Sequence, residues 1–220
     1  MQQYFGTFAQ TDRYLSLEQV LQAARDTYRG HLESMIRQYN SPHDFSELDK
    51  ILDGEYQIVS TARACYDYAI NGRIQLAKTS VEADTQSHDW MALAALLLSA
   101  RYGIEFFSPK VDGNTIGVPV FLEQIYFQAI LRARLDIDTQ PDLDEEMLPS
   151  PLRNQSTGFL NLNEVAALAQ MHQKSVRNAT QPTAPDRLHT RKEGARTVVD
   201  SPEALLWLKG RRNFKPTELI

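Results

Sequence analysis

A mainly α-helical chain in two parts is what the sequence predicts: an all-α N-terminal domain over residues 1–138, then a smaller unit over 159–214 that joins short helices to a β-hairpin. Three observations carry this. Apolar residues recur at helical spacing through the first 138 positions, without a convincing run of alternation. Residues 139–158, TQPDLDEEMLPSPLRNQSTG, hold three prolines, an acidic cluster and few apolar side chains, the composition of an interdomain linker. Charge then changes sign: residues 1–158 carry 13 Lys and Arg against 22 Asp and Glu, whereas 159–215 carry 10 against 5. The net charge of -5 thus averages an acidic body and a basic end, an asymmetry that speaks to partners rather than to fold.

Within the body, Ser16-Leu17-Glu18-Gln19 has the pattern of a capping box, with Gln19 reaching back to Ser16. Leu17, Val20, Leu21, Ala24, Tyr28, Leu32, Met35 and Ile36 then mark a helix ending near Asn40-Ser41-Pro42. A second helix starts around Phe45 or Leu48 and closes at Asn71-Gly72; Asp53-Gly54 leaves open a break into two pieces. From position 88 to 102 nearly every side is apolar (Trp90, Met91, Leu93, Leu96, Leu97, Leu98), which predicts a central helix covered by its neighbours and stopped by Gly103. Residues 106–117 read as a loop or short hairpin turning at Asp112-Gly113-Asn114. Pro119 sits in the first turn of a helix running to about Leu135, with Phe121, Leu122, Ile125, Ala129 and Ala133 on one face.

The C-terminal unit opens on a second capping box, Asn161-Leu162-Asn163-Glu164, followed by an apolar face of Leu162, Val165, Ala166, Leu168 and Ala169. A tight turn at Gln170-Met171-His172 leads into a second helix near Gln173, with Val176 and Ala179 inward. The small Ala166 facing the β-branched Val176 suits two helices that cross steeply. Gln173, Lys174, Arg177 and Asn178 point outward. Lys and Arg neutralise phosphates, Arg pairs bidentately with guanine, and Gln or Asn with adenine, so this set is what a helix reading a DNA groove needs. Residues 188–190 and 196–199 can pair as strands around Arg191-Lys192-Glu193-Gly194, where Gly194 supplies the positive φ. Arg191, Lys192 and Arg196 make that hairpin cationic. Ser201-Pro202-Glu203 starts a third helix, with Ser201 as N-cap and Ala204, Leu205, Trp207 and Leu208 packing back; residues 215–220 remain as a tail.

The order helix, turn, helix, basic hairpin and S-P-E-x-x-x-W-L helix resembles the excisionase- and MerR-type winged helix-turn-helix family, over about a quarter of the chain. The resemblance implies a second helix in the major groove and a wing on the neighbouring backbone or minor groove. Those roles fall on Gln173, Lys174, Arg177 and Asn178, and on Arg191, Lys192 and Arg196. In that family the helix-to-helix turn usually carries Gly; Gln170-Met171-His172 instead places a non-Gly residue in a left-handed turn, at a cost of about 1–2 kcal/mol.

Other chemistry is thinly represented. Cys65 is the only cysteine, which excludes an intramolecular disulfide and a Cys-rich zinc site; it reads as a buried structural thiol. None of His31, His43, His88, His172 and His189 has Glu three residues before it, as helical di-metal sites require. No G-x-S-x-G, Walker-type or G-x-G-x-x-G motif occurs. No catalytic residue, metal or cofactor is therefore expected, nor enzyme activity. Tyr66, Tyr68, Trp90, Phe106, Phe107, Tyr126 and Phe127 suit a core, or else a small-molecule pocket. The N-terminus lacks the basic-then-apolar pattern of a secretory signal, and residues 90–100 fall short of the roughly 20 needed to span a bilayer. A cytoplasmic protein without membrane contact is expected: a sequence-specific binder of double-stranded DNA, of the bacterial or phage transcriptional-regulator type, paired as a homodimer through its helical body. The alternatives are an assembly module built on a degenerate winged helix, and a small-molecule sensor in the helical domain.

Overall fold

The computed structural model describes residues 15–39, 56–102, 110–111, 114–115 and 120–220. The expected helix start at Phe45 or Leu48, the Asp53-Gly54 break, the stops at residues 40–42 and Gly103, the Asp112-Gly113 turn, and His43, Phe106, Phe107 and Pro119 lie outside the described residues, as does the N-terminal segment. Among the described residues four long helices build the body: α1 (Leu17–Tyr39), α2 (Gln57–Asn71), α3 (Ser80–Tyr102) and α4 (Val120–Thr139). The capping box before α1 forms, with Ser16 N donating to Gln19 Oε1 at 3.1 Å and Gln19 N to Ser16 Oγ at 3.3 Å. Helix α3 begins at Ser80 rather than at the apolar run, because a further capping pair precedes it: Glu82 N donates to Thr79 Oγ1 and Lys78 N to Glu82 Oε2.

Two expectations for the body need correction. It is mainly rather than wholly α-helical, since β1 (Arg73–Ile74) interrupts it; the antiparallel pair β2 (Lys110–Val111) and β3 (Asn114–Thr115) is the short hairpin allowed for within 106–117. Helix α3 is not covered all round: Trp90, Leu93 and Leu97 enter the core, but Met91 and Leu98 are 54% and 57% exposed.

Helix α4 is the one that every other part packs around. Residues 122–136 are all buried. The face expected from its apolar spacing, with Leu122, Ile125, Ala129 and Ala133, joins the core of the body; Phe127, Leu131 and Leu135 belong to a second core, that of the C-terminal unit. That unit comprises β4 (Phe159–Asn161), α5 (Leu162–Ala169), α6 (Gln173–Ala179), β5 (Arg191–Glu193), β6 (Arg196–Asp200) and α7 (Ser201–Lys209). Its strands form an antiparallel sheet in the order β4-β6-β5.

The connection over 139–158 is folded, not free. Two 3-10 turns, Glu145–Met147 and Ser150–Leu152, lay Leu148 and Leu152 fully buried into the body's core. Its few apolar residues are therefore its anchors, and its prolines stiffen the path between them. The tail also returns to the body: β7 (Glu218–Leu219) pairs in parallel with β1. Gly72, at φ 70°, makes this approach possible, since a Cβ there would lie 2.5 Å from Pro216 O.

Where tail, body and α4 meet, Arg132 (1% exposed) donates to Ala69 O at 3.2 Å, Lys215 O at 2.8 Å and Thr217 Oγ1 at 3.1 Å, and stacks on Phe214. One turn on, Asp136 (2% exposed) accepts from Tyr68 Oη at 2.8 Å and Gln140 Nε2 at 3.1 Å, and shares Thr217. Burial pushes the Asp136 carboxyl up from its ordinary value, while the Arg132 charge pulls it back down. Arg132→Ala strands the Asp136 charge and three acceptors in the interior. We expect a loss of about 3–5 kcal/mol in unfolding free energy by urea titration, and a loss under about 1 kcal/mol would show that the network is not holding the tail.

Candidate nucleic-acid interface

Helix α5 is held at both ends by α4. Asn161 Oδ1 accepts from the N–H groups of Asn163 and Glu164, and Glu164 Oε2 accepts from Asn161 N at 2.7 Å, completing the expected capping box. The other oxygen of Glu164 takes an ion pair from Arg134 of α4 at 2.9 Å. At the far end, Gln128 Nε2 of α4 donates to Ala167 O, a carbonyl of the last helical turn. Gln170 then turns the chain with φ 50° and ψ 46°, the left-handed conformation foreseen for a non-Gly residue. Its N–H and that of Met171 close on Ala167 O and Ala166 O. His172 caps α6 by accepting from Lys174 N through Nδ1 at 3.0 Å. Val176, fully buried, shares the second core with Ala166 and so fixes which face of α6 turns outward.

Along that face Lys174, Arg177 and Asn178 are exposed and have no hydrogen-bond or ionic partner among the described residues. Gln173 differs: it is partly buried and its amide donates to Asn163 Oδ1 of α5, which takes it out of the outward set.

The hairpin forms in a different register from the one expected. Arg191 faces Val198, Lys192 faces Thr197 and Glu193 faces Arg196, leaving Gly194-Ala195 as a two-residue loop with Gly194 at φ 58°. Gly alone at the first central position suits the twist of a type II′ hairpin. Arg191 and Lys192 therefore lie on a strand, not in the turn. There Arg191 is ion-paired with Glu193 and with Asp200, and stacks at 5.3 Å on Phe159 of the strand β4 that the sequence reading missed. Lys192 Nζ donates to Thr197 Oγ1, and Arg196 is exposed without a partner among the described residues.

The segment between α6 and the hairpin is pinned as well. Leu188 is buried and donates its N–H to Ala179 O at 2.9 Å; Trp207 Nε1 donates to Asp186 O at 3.0 Å, and Arg211 pairs with Asp186 while lying 4.1 Å over the Trp207 ring. Ser201 is not the N-cap of α7. Asp200 takes that position without a side-chain bond, and the buried Ser201 hydroxyl donates to Asp138 of α4, which also holds Gly158 N and Ser156 Oγ.

The result is a unit whose carboxylates are largely spent and whose cations are not. Lys174, Arg177, Lys192 and Arg196 have no carboxylate partner among the described residues, and the same holds for the exposed Arg187, Lys209 and Arg212. Arg187 sits in the proline-bearing segment between α6 and the hairpin, where composition signals only a connection. Among the described residues no group of three or more His, Cys, Asp or Glu could hold a metal ion, and no helix is long and apolar enough to cross a membrane. Cys65 is buried in the core, which pushes its thiol pKa up. Comparison with family models, curated proteins and solved structures finds no match to this chain.

Two measurements check this local account. Gln170→Gly relieves the left-handed strain and forfeits only an exposed bond to Asn213 O; we expect a gain of about 1 kcal/mol in unfolding free energy. Glu203 accepts from both the N–H and Nδ1 of His189, and the side-chain bond holds its carboxyl below the usual 4.5. A depressed carboxylate contributes stability above its unfolded value and loses it as pH falls through the folded one. The stability difference between wild type and Glu203→Gln should therefore shrink as pH falls below 4.5, as read by thermal melts across pH.

Proposed function

We propose that this protein is a sequence-specific binder of double-stranded DNA, acting as a transcriptional regulator, with its C-terminal unit serving as a winged helix-turn-helix. The observation that carries the reading is the set of unneutralised cations, Lys174 and Arg177 on α6 with Arg196 on the hairpin, attached to a body of opposite charge. Asn178 beside them supplies a donor and an acceptor in the arrangement that adenine takes. In this reading α6 enters the major groove, and Arg196 and Lys192 contact the phosphates alongside. Arg191 plays a different part from the one its charge suggests: its guanidinium braces the hairpin through Glu193 and Asp200. Gln173 positions α6 against α5 instead of reading a base.

Two copies pairing through the body would supply a second half-site, since a single module contacts few base pairs. The exposed Met91 and Leu98, seven residues apart on α3, support pairing there.

Selection from random duplexes followed by titration at several salt concentrations tests the proposal. Affinity should fall steeply with salt, with a log–log slope of about −0.9 for each phosphate neutralised. Lys174→Ala combined with Arg177→Ala should abolish specific binding and leave stability within about 0.5 kcal/mol of wild type, because neither side chain has a partner to lose. Arg191→Ala should destabilise the hairpin with little direct effect on affinity. Failure to bind any duplex at low salt would sink the proposal.

A further inference from the structure

Away from α6 and the hairpin, the body contains a cleft of about 450 Å³ between α2 and α3, within the roughly 300–1,000 Å³ usual for small-molecule sites. Ala64 and Asp67 of α2 line one side, and Gln86, Asp89 and Trp90 of α3 line the other. Pro149 of the folded connection and Ile220 of the tail complete the wall.

Its charged groups are two carboxylates, Asp67 and Asp89, against Arg73, and the amides of Gln57, Gln75 and Gln86 offer donors as well as acceptors. Gln86 Oε1 is buried without a donor, and the amide nitrogen of the same side chain reaches Gln75 O only at 3.5 Å. A buried acceptor left unmet costs about 1–3 kcal/mol, which a ligand N–H would recover. Asp89 takes one bond, on Oδ2 from Gln57 at 2.6 Å, and Asp67 takes one, on Oδ1 from Asn71 at 2.8 Å. The remaining oxygen of each has no donor among the described residues. The hydroxyls of Ser60 and Thr61 donate to the backbone of their own helix and so also present lone pairs to the cleft. Arg73 is the one cation among the lining residues, and it lies 3.8 Å from the Glu218 carboxylate. Trp90 adds an aromatic surface fixed by its packing on Tyr126.

We infer that this cleft binds a small organic cation rich in N–H donors, an ammonium or guanidinium group on a short apolar chain. Asp67 and Asp89 lie toward opposite ends of α2 and each meets one charged end of the ligand, Gln86 accepts one N–H, and the exposed rim of Trp90 borders the methylene chain. Ile220 is part of the wall, so the ligand selects the chain with its tail docked and tightens that docking by mass action. This site is independent of the DNA-binding reading and stands or falls without it.

Agmatine, which carries an ammonium at one end and a guanidinium at the other, is a suitable probe for calorimetry on the full chain, with succinate as the anionic control. Agmatine should bind and succinate should not. Ala64 is exposed at the cleft, so Ala64→Phe fills it without entering the core, and Asp89→Asn removes one carboxylate. Each should weaken agmatine by about tenfold or more while the urea midpoint stays near wild type. Amide exchange at Glu218 and Ile220, which donate to Gly72 O and Ile74 O, should slow when agmatine binds. Absence of binding at about 1 mM, wild-type affinity in both variants, or succinate binding as tightly would each overturn the site. Unchanged exchange would overturn the part played by the tail.

Discussion

Helix α4 is a helix without a wet side, and the architecture depends on how its polar residues are satisfied. Arg132, Arg134 and Asp136 are buried on it together with Glu123, Gln124 and Gln128. Burying such groups is costly unless each finds a partner. The partners come from everything α4 touches: Arg132 binds the tail, Arg134 the capping residue of α5, Gln128 the carbonyl end of α5, and Asp136 the body through Tyr68. Apolar packing alone could hold α4 between two cores in several registers. The directional bonds select one, which is the best-attested use of a buried polar group.

The C-terminal unit is thereby seated on the body along one whole face and tethered at both of its chain ends. A bead on a proline-rich string would leave two reading helices free to adopt any spacing. Under the proposed function, their separation in a paired assembly would be set by the body and by the contact between copies, and the spacing of half-sites would be a property of the helical domain. The acidic surface of that domain and the basic unit would then approach DNA in one orientation only.

Much of this could be read in the residues. Both expected capping boxes form, and the αL position at Gln170 is the one the family resemblance implied, where Gly is usual. What escaped were features whose cause lies far away in the chain. Phe127, Leu131 and Leu135 recur every four residues on α4 as a second apolar stripe, with the polar Arg132, Arg134 and Asp136 beside them. Those polar residues are internal only because the tail and α5 come to meet them. The connection was judged by its prolines and acids, whereas two leucines decide its position. In the hairpin, Arg191-Lys192-Glu193 is charged throughout and exposed, so no alternation marks it as a strand, and the true register is visible only from the pairing with β6. The same limit applies to the candidate site. Lys174, Arg177, Asn178 and Arg196 stand exposed as expected, but Gln173 and Arg191 are engaged by Asn163 and Asp200, neighbours that no local pattern discloses.

The two-residue ladder between β1 and β7 joins Arg73 to Glu218 and makes the fold strongly non-local. Such closures are slow to form because chain entropy is lost before the contact rewards it. During synthesis the body can collapse around α4 long before Lys215 and Thr217 emerge, leaving the Arg132 guanidinium and the Asp136 carboxylate short of their last partners. The segment 215–219 thus closes the polar seam last. A chain interrupted anywhere in the C-terminal unit retains a body with an unquenched polar seam, and it is marked for local opening at the surface where that unit should sit.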